Sequence, residues 1–170
     1  MRFCEKIQGS VWVNIEIKRE EMIQHGTQVF QLVGADKICK VCIKSGNSCC
    51  IGCDFLKEGV GCQKRNTSCT AWLCGLQKYF FDKIGLLDEW ENMWEQIPGK
   101  EFREDSTPET VKIKSFIDLE QLDSKAGKLF AEALEVLEEQ GDDIGKLERQ
   151  LSIDFELRKP EIIQFLFRET

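Results

Sequence analysis

Eight of the nine cysteines in this 170-residue chain fall between positions 39 and 74, in the order Cys39-x2-Cys42-x6-Cys49-Cys50-x2-Cys53-x8-Cys62-x6-Cys69-x4-Cys74. No other feature limits the fold so strongly. Glycines stand between or beside them at 46, 52, 59, 61 and 75, and no hydrophobic period of strand or helix type runs through the stretch. Periodic packing therefore gives the backbone little to settle on, and metal-thiolate bonds are the candidate that can hold it. The expectation is a loop-built module.

Length argues against disulfides as a substitute for a core. A chain of this size buries roughly two-thirds of its unfolded surface, and an odd total of cysteines fits poorly with full pairing. The first twenty residues lack a secretory apolar core, because Asn14, Glu16, Lys18, Arg19 and Glu20 interrupt the run after Ser10. No window reaches the ~18 apolar residues of a membrane span. The sequence is accordingly expected to be cytoplasmic, with no membrane partner, where clustered thiols stay reduced and serve metal or redox chemistry.

The two Cys-x2-Cys units, Cys39/Cys42 and Cys50/Cys53, are the most specific elements. Two intervening residues let a tight turn present both sulfurs to one metal while backbone amides face them. Eight thiols make two sets of four, so two centres are a possible reading: Cys39, Cys42, Cys50 and Cys53 in one, Cys49, Cys62, Cys69 and Cys74 in the other. Interleaved sharing is the equal alternative, since the seven residues between the two units are shorter than the ~15 to 20 of common zinc-ribbon spacing. Ferredoxin spacings are absent. The cofactor is zinc or an iron-sulfur cluster. Cys4 reads as an ordinary small apolar residue, and His25, distant from the cluster, as a surface or core histidine.

The run CCIGCDFLKEGVGC, followed by RNTSCTAWLC, resembles the bacterial YkgJ-like family of zinc- or iron-chelating cysteine-cluster proteins. Cys49, Cys50, Cys53, Leu56, Gly61, Cys62, Cys69 and Cys74 match that pattern. Cys62 with Cys69-Thr70-Ala71-Trp72-Leu73-Cys74 is similar to small cysteine-cluster proteins of bacterial mobile elements. The resemblance covers about residues 39 to 80 and implies metal chelation but no agreed activity. The chain departs from the first family in carrying Arg65-Asn66 where an Arg-Pro is expected and in a shorter gap between Cys62 and Cys69.

Around the cluster, Val11, Val13, Ile15 and Ile17 alternate with Trp12, Asn14 and Glu16, predicting a short N-terminal strand. A helix could also start there and run through Met22, Ile23, Val29, Phe30 and Val33, weakened at Gly26 and ended by Gly34. Leu76, Phe80, Ile84, Leu87, Trp90 and Trp94 form one helical stripe, or two short helices breaking near Gly85, and serve as core or as a dimer face. Residues 100 to 110 read as a polar linker whose Thr107-Pro108 starts a further helix. Asp123 or Ser124 caps a helix burying Leu129, Phe130, Ala133, Leu134 and Leu137 up to Gly141. Asp142 restarts one that buries Ile144, Leu147, Leu151 and Phe155, and Pro160 opens a last short one. The predicted fold is mainly α, a cysteine module (36 to 83) docked on an acidic helical domain (84 to 170) after an N-terminal strand or helix segment (1 to 35).

The formal net charge of −7 argues against a broadly basic, nucleic-acid-coating surface. Residues 36 to 83 nonetheless carry +4 before any thiolate ionises. Lysines near thiolates have a plain electrostatic use, while Lys40, Lys44, Lys64 and Arg65 are the candidates for phosphate contacts in a nucleic-acid-binding reading. Trp72, Tyr79, Phe80 and Phe81 could stack on bases or belong to the core. No Gly-rich phosphate loop, H-E-x-x-H or G-x-S-x-G occurs, so the reading leans away from an enzyme. The leading expectation is a metal-binding protein acting in interaction or regulation through a protein partner. Iron-sulfur redox, electron-transfer or sensor work and nucleic-acid binding are the alternatives.

Overall fold

A computed structural model describes residues 15–47, 52–57, 60–101 and 104–157. In chain order the elements are β1 (Ile15–Lys18), α1 (Arg19–Leu32), α2 (Ala35–Lys44), β2 (Leu56–Lys57), β3 (Gly61–Cys62), α3 (Thr67–Ala71), α4 (Gly75–Lys83), α5 (Leu87–Glu95), β4 (Lys100–Glu101), β5 (Glu104–Asp105), β6 (Thr110–Ile113), a 3-10 turn at Leu119–Gln121, α6 (Lys125–Glu139) and α7 (Ile144–Leu157). The fold is mainly helical, as expected. The structure does not show the cysteine region as a loop-built module, because Cys39 and Cys42 lie on α2 and Cys69 lies on α3. Ala35, Ile38 and Val41 give α2 a buried stripe at helical spacing that the cysteine pattern masks in the sequence.

The N-terminal segment is both strand and helix, in succession. β1 hands over to α1 at Lys18, whose N–H donates to the Glu21 carboxylate at 3.0 Å, closing half of a capping box. Helix α1 runs straight through Gly26. There the missing side chain lets the Trp94 ring and the Thr70 methyl pack directly against the helix, and a Cβ would overlap both. Gly34, at φ +78, ends α1 and starts α2, a left-handed conformation that glycine adopts without penalty. The predicted strand's residues 11 to 14, Cys4 and the helix placed after Pro160 lie outside the described residues.

Strand β1 pairs antiparallel with β6, Ile15 opposite Ile113 and Ile17 opposite Val111. This corrects the helix expected from Thr107-Pro108. Thr110, Val111 and Ile113 are β-branched, and Val111 and Ile113 alternate into the core. The extended partner that favours this conformation is nearly a hundred residues away, so local punctuation alone suggests the wrong element. The Arg19 N–H and guanidinium prolong the junction onto the carbonyls of Glu109 and Thr107.

One apolar cluster joins all three stretches of the chain: Met22 and Val29 of α1, Ile38 of α2, Leu76 and Phe81 of α4, Trp90 and Trp94 of α5, Leu134 of α6 and Ile144 at the start of α7. Trp90 and Trp94 are core, 1% and 3% exposed, and Trp90 Nε1 donates to the Ala71 carbonyl at 2.9 Å. The aromatic stripe breaks into α4 and α5 at Gly85. On α6 the buried positions are Gly127, Ala131 and Leu134, with Phe130 and Leu137 half-buried, whereas Leu129 and Ala133 face outward. Gly127 lies so close to the backbone of Val33 and Gly34 that the helix is turned to present it, which rotates Leu129 out of the predicted face.

Below the cysteine region, Asp105 fastens β5 to the start of α3. Its carboxylate accepts the Thr67 N–H at 2.8 Å and the Thr107 N–H at 3.0 Å. Burial alone would raise its pKa, but the Thr107 hydroxyl, those two N–H groups and the Thr67 hydroxyl hold it below the ordinary carboxylate value. Asp105→Ala is expected to cost about 1 to 3 kcal/mol at pH 7. Because the folded pKa is depressed, the contribution is full above the unfolded value of 3.8 and is lost as pH falls through the folded one. Urea melts of both proteins at pH 7 and at pH 3 check this: the gap narrows at the lower pH.

Candidate metal centre

Four local structures carry the described cysteines. Cys39 and Cys42 lie three residues apart on α2 and so share one helix face. Cys53 and Cys62 belong to the small β2–β3 hairpin, where Leu56 pairs with Cys62, the Leu56 N–H reaches the Cys53 carbonyl at 3.0 Å and the Cys62 thiol donates to the Lys64 carbonyl at 3.0 Å. Cys69 sits in α3, its N–H capped by the Asn66 side chain at 2.8 Å, and Cys74 is the N-cap of α4.

All six border a single half-enclosed cavity of about 1310 Å³, and none of the six is in a disulfide. Cys49 and Cys50 lie outside the described residues. Among the described residues, no group of three or more His, Cys, Asp or Glu side chains has closed to metal-ligand geometry. The thiols are gathered around one space without being drawn onto one point.

Within that space the Cys42 and Cys74 thiols are shifted by their surroundings. Burial pushes the Cys42 thiol up to about 11, with Cys39 and then Glu148 adding repulsion. Burial likewise pushes Cys74 to about 12, and Cys39, Glu148 and Cys42 add to it against the Gln77 backbone N–H, which favours the thiolate. Each of these sulfurs is thus within electrostatic reach of the other two. At neutral pH the thiols of Cys42 and Cys74 are protonated, a state in which cysteine is a poor nucleophile; a soft cation would have to displace the protons to bind.

Two contributors carry no cysteine. Gln77 is 2% exposed, and its Nε2 donates to the Ala35 carbonyl at 2.9 Å and to Cys39 Sγ at 3.3 Å. Glu148 of α7 accepts the Gly75 N–H at 3.0 Å and the Ser152 hydroxyl at 2.8 Å, seating α7 on the first turn of α4 beside Cys74. A polar residue three places after Cys74, among apolar neighbours, is a faint signal for Gln77. Nothing local marks Glu148, which is one of many acidic residues on the C-terminal helices.

The basic candidates are not equivalent. Lys64 lies over the Phe55 ring at 5.1 Å and Arg65 over Phe30 at 5.4 Å, both bordering the cavity, while Lys40 pairs with Asp36 on α2 at 3.2 Å and Lys44 ends that helix. Carboxylates of Asp54, Glu91, Glu95 and Glu101 border the same cavity, so Lys64 and Arg65 do not stand in a one-sign field. Phe80 and Phe81 are core, Tyr79 packs on Phe130 at 5.8 Å, and Trp72 is 42% exposed at the cavity. His25 lies elsewhere, edge-on to Phe116 at 4.7 Å, its pKa lowered by burial. No described helix is long and apolar enough to cross a membrane.

Comparison with protein-family models, with curated proteins and with solved structures finds no match for this chain.

Proposed function

We propose that this protein binds a metal, zinc or an iron-sulfur cluster, through the thiolates of residues 39 to 74, and that the loaded module acts in interaction or regulation. The observation that carries the reading is the convergence of six cysteines from α2, the hairpin, α3 and the start of α4 on one cavity. Ordinary buried thiols have no reason to collect in this way, since each packs as well beside any apolar neighbour.

The donor chemistry suits the group. The cysteines that border the cavity would hold it, and the Gln77 side-chain amide that donates to Cys39 is the kind of N–H donor that thiolate centres use around their ligands. Bound metal would replace the thiol protons and neutralise the thiolate charges formed in their place. An all-sulfur set with the sole histidine elsewhere favours closed, structural coordination over an open catalytic position.

Anaerobic purification from cells supplied with iron and zinc, with an absorption spectrum and metal analysis on one sample, tests the reading. Colourless protein with one or two zinc ions per chain is the expected result for a structural or regulatory centre. Brown protein with iron and acid-labile sulfide shifts the role to redox or sensing. Full-length protein with every thiol free of metal overturns the proposal.

A further inference from the structure

Helix α6 is apolar on two faces, and only one of them is covered by described residues. Gly127, Ala131 and Leu134 are buried. Ala126, Leu129, Ala133 and Val136 face outward, Leu129 at 59% and Val136 at 50% exposure. A single exposed aliphatic residue is ordinary on a protein surface. These four are not scattered: they recur at intervals of three, four and three, the spacing of a seam that receives a second helix. The stripe they form is about 15 Å long. Alanine alternates with a larger side chain along it, so a facing helix can come close at two positions and meet a knob at the other two.

The edge of the stripe sets what such a helix must carry. Glu132 and Glu139 each follow a stripe residue by three positions, and Glu135 lies within one turn of both. Lys128 meets Glu132 at 3.8 Å, while the carboxylates of Glu135 and Glu139 have no ion pair among the described residues. Glu138 turns the other way and accepts the Ser45 hydroxyl. The last turn of α6 holds no basic residue, although the helix dipole disfavours negative charge at that end. Carboxylates placed there work against the helix itself, and cations brought from outside it would relieve them.

We propose that this face of α6 docks an amphipathic helix of a protein partner, with aliphatic side chains on the seam and lysine or arginine facing Glu132, Glu135 and Glu139. The inference stands on α6 alone and needs no metal at the cysteines. An antiparallel pairing of two copies of this chain sets the two Glu132 carboxylates against each other near its centre. Residues 158–170, outside the described residues, offer Arg158, Lys159 and Arg168 beside Glu161 and Glu169. Charge therefore favours a separate, basic partner over either.

Fluorescence anisotropy of full-length protein with a labelled synthetic peptide of leucine and lysine, leucine at the seam spacing, tests it. A leucine-and-glutamate peptide of the same pattern is the control. The lysine peptide is expected to bind at least about tenfold more tightly than the control and to weaken as salt rises. Leu129→Gln combined with Val136→Gln is expected to lower its affinity about tenfold. Glu135→Gln combined with Glu139→Gln is expected to lower it about threefold and to make the salt dependence shallower. Ile153→Gln, at an exposed aliphatic position on α7, is expected to leave it unchanged. All five substituted residues are exposed, so unfolding midpoints stay near wild type and lost binding is not lost folding.

No binding, equal binding of the two peptides, or full binding to the Leu129 and Val136 variant overturns the inference. A dimer in sedimentation that the same variant dissociates also overturns it and makes a second copy the occupant. Lysine-peptide binding that appears only in Leu166→Glu overturns it as well and assigns the face to residues 158–170.

Discussion

Gly75→Ala is expected to destabilise the protein by about 3 kcal/mol, the upper range for an overpacked site. The first residue of α4 touches α7 so closely that a Cβ would collide with the Glu148 carbonyl oxygen, the Ser152 amide nitrogen and the Ser152 hydroxyl. Two of those three are backbone atoms of a helix, which cannot swing aside as a long side chain can, so α7 must lift from α4. Glu148 and Ser152 would then lose the Gly75 N–H they share. Denaturant unfolding of the wild type and the variant checks the number. Loss of under 1 kcal/mol would mean that α7 does not seat on α4 as described. Faster alkylation of Cys74 in the variant would accompany the loss, because the lifted helix no longer covers that thiol.

Zinc is expected to stabilise the metal-free protein by about 4 kcal/mol at free concentrations a thousandfold above the dissociation constant, simply because it binds the folded state alone. A chelator should reverse the gain. Cys74→Ser or Cys39→Ser should reduce it, since both thiols border the cavity on which the cysteines converge. The gain should also shrink as pH falls, because zinc must displace protons that the buried thiols hold tightly. Thermal or urea unfolding with buffered zinc measures all three effects. A wild-type protein whose stability ignores zinc over that range would remove zinc as the native metal and leave iron-sulfur as the case to pursue.

The helices show how far local pattern reaches. α6 and α7 lie where Ser124, Gly141 and the apolar spacings place them, and the break at Gly85 splits α4 from α5, because capping and periodicity act over a few residues and are written in those residues. Even so, the buried face of α6 is shifted from Leu129 to Gly127 and Ala131. The periodic pattern is nearly satisfied by either choice, and only the close approach of Gly127 to Val33 and Gly34 selects between them.

The cysteine cluster divides in the same way. Its existence and its thiol chemistry follow from composition and spacing alone, whereas its geometry does not. Spacing read as loop turned out to contain α2, since alternation between cysteines and Ala35, Ile38 and Val41 becomes a buried stripe only when α1, α4 and α6 stand against it. Gln77 reaches Cys39 because α4 stands against α2. What the sequence by itself determined is which short segments curl into helices and which residues bring the clustered thiols. What only the tertiary structure decided is which segments meet, as β1 with β6 and Glu148 with Gly75, because those choices depend on burial shared between residues far apart in the chain.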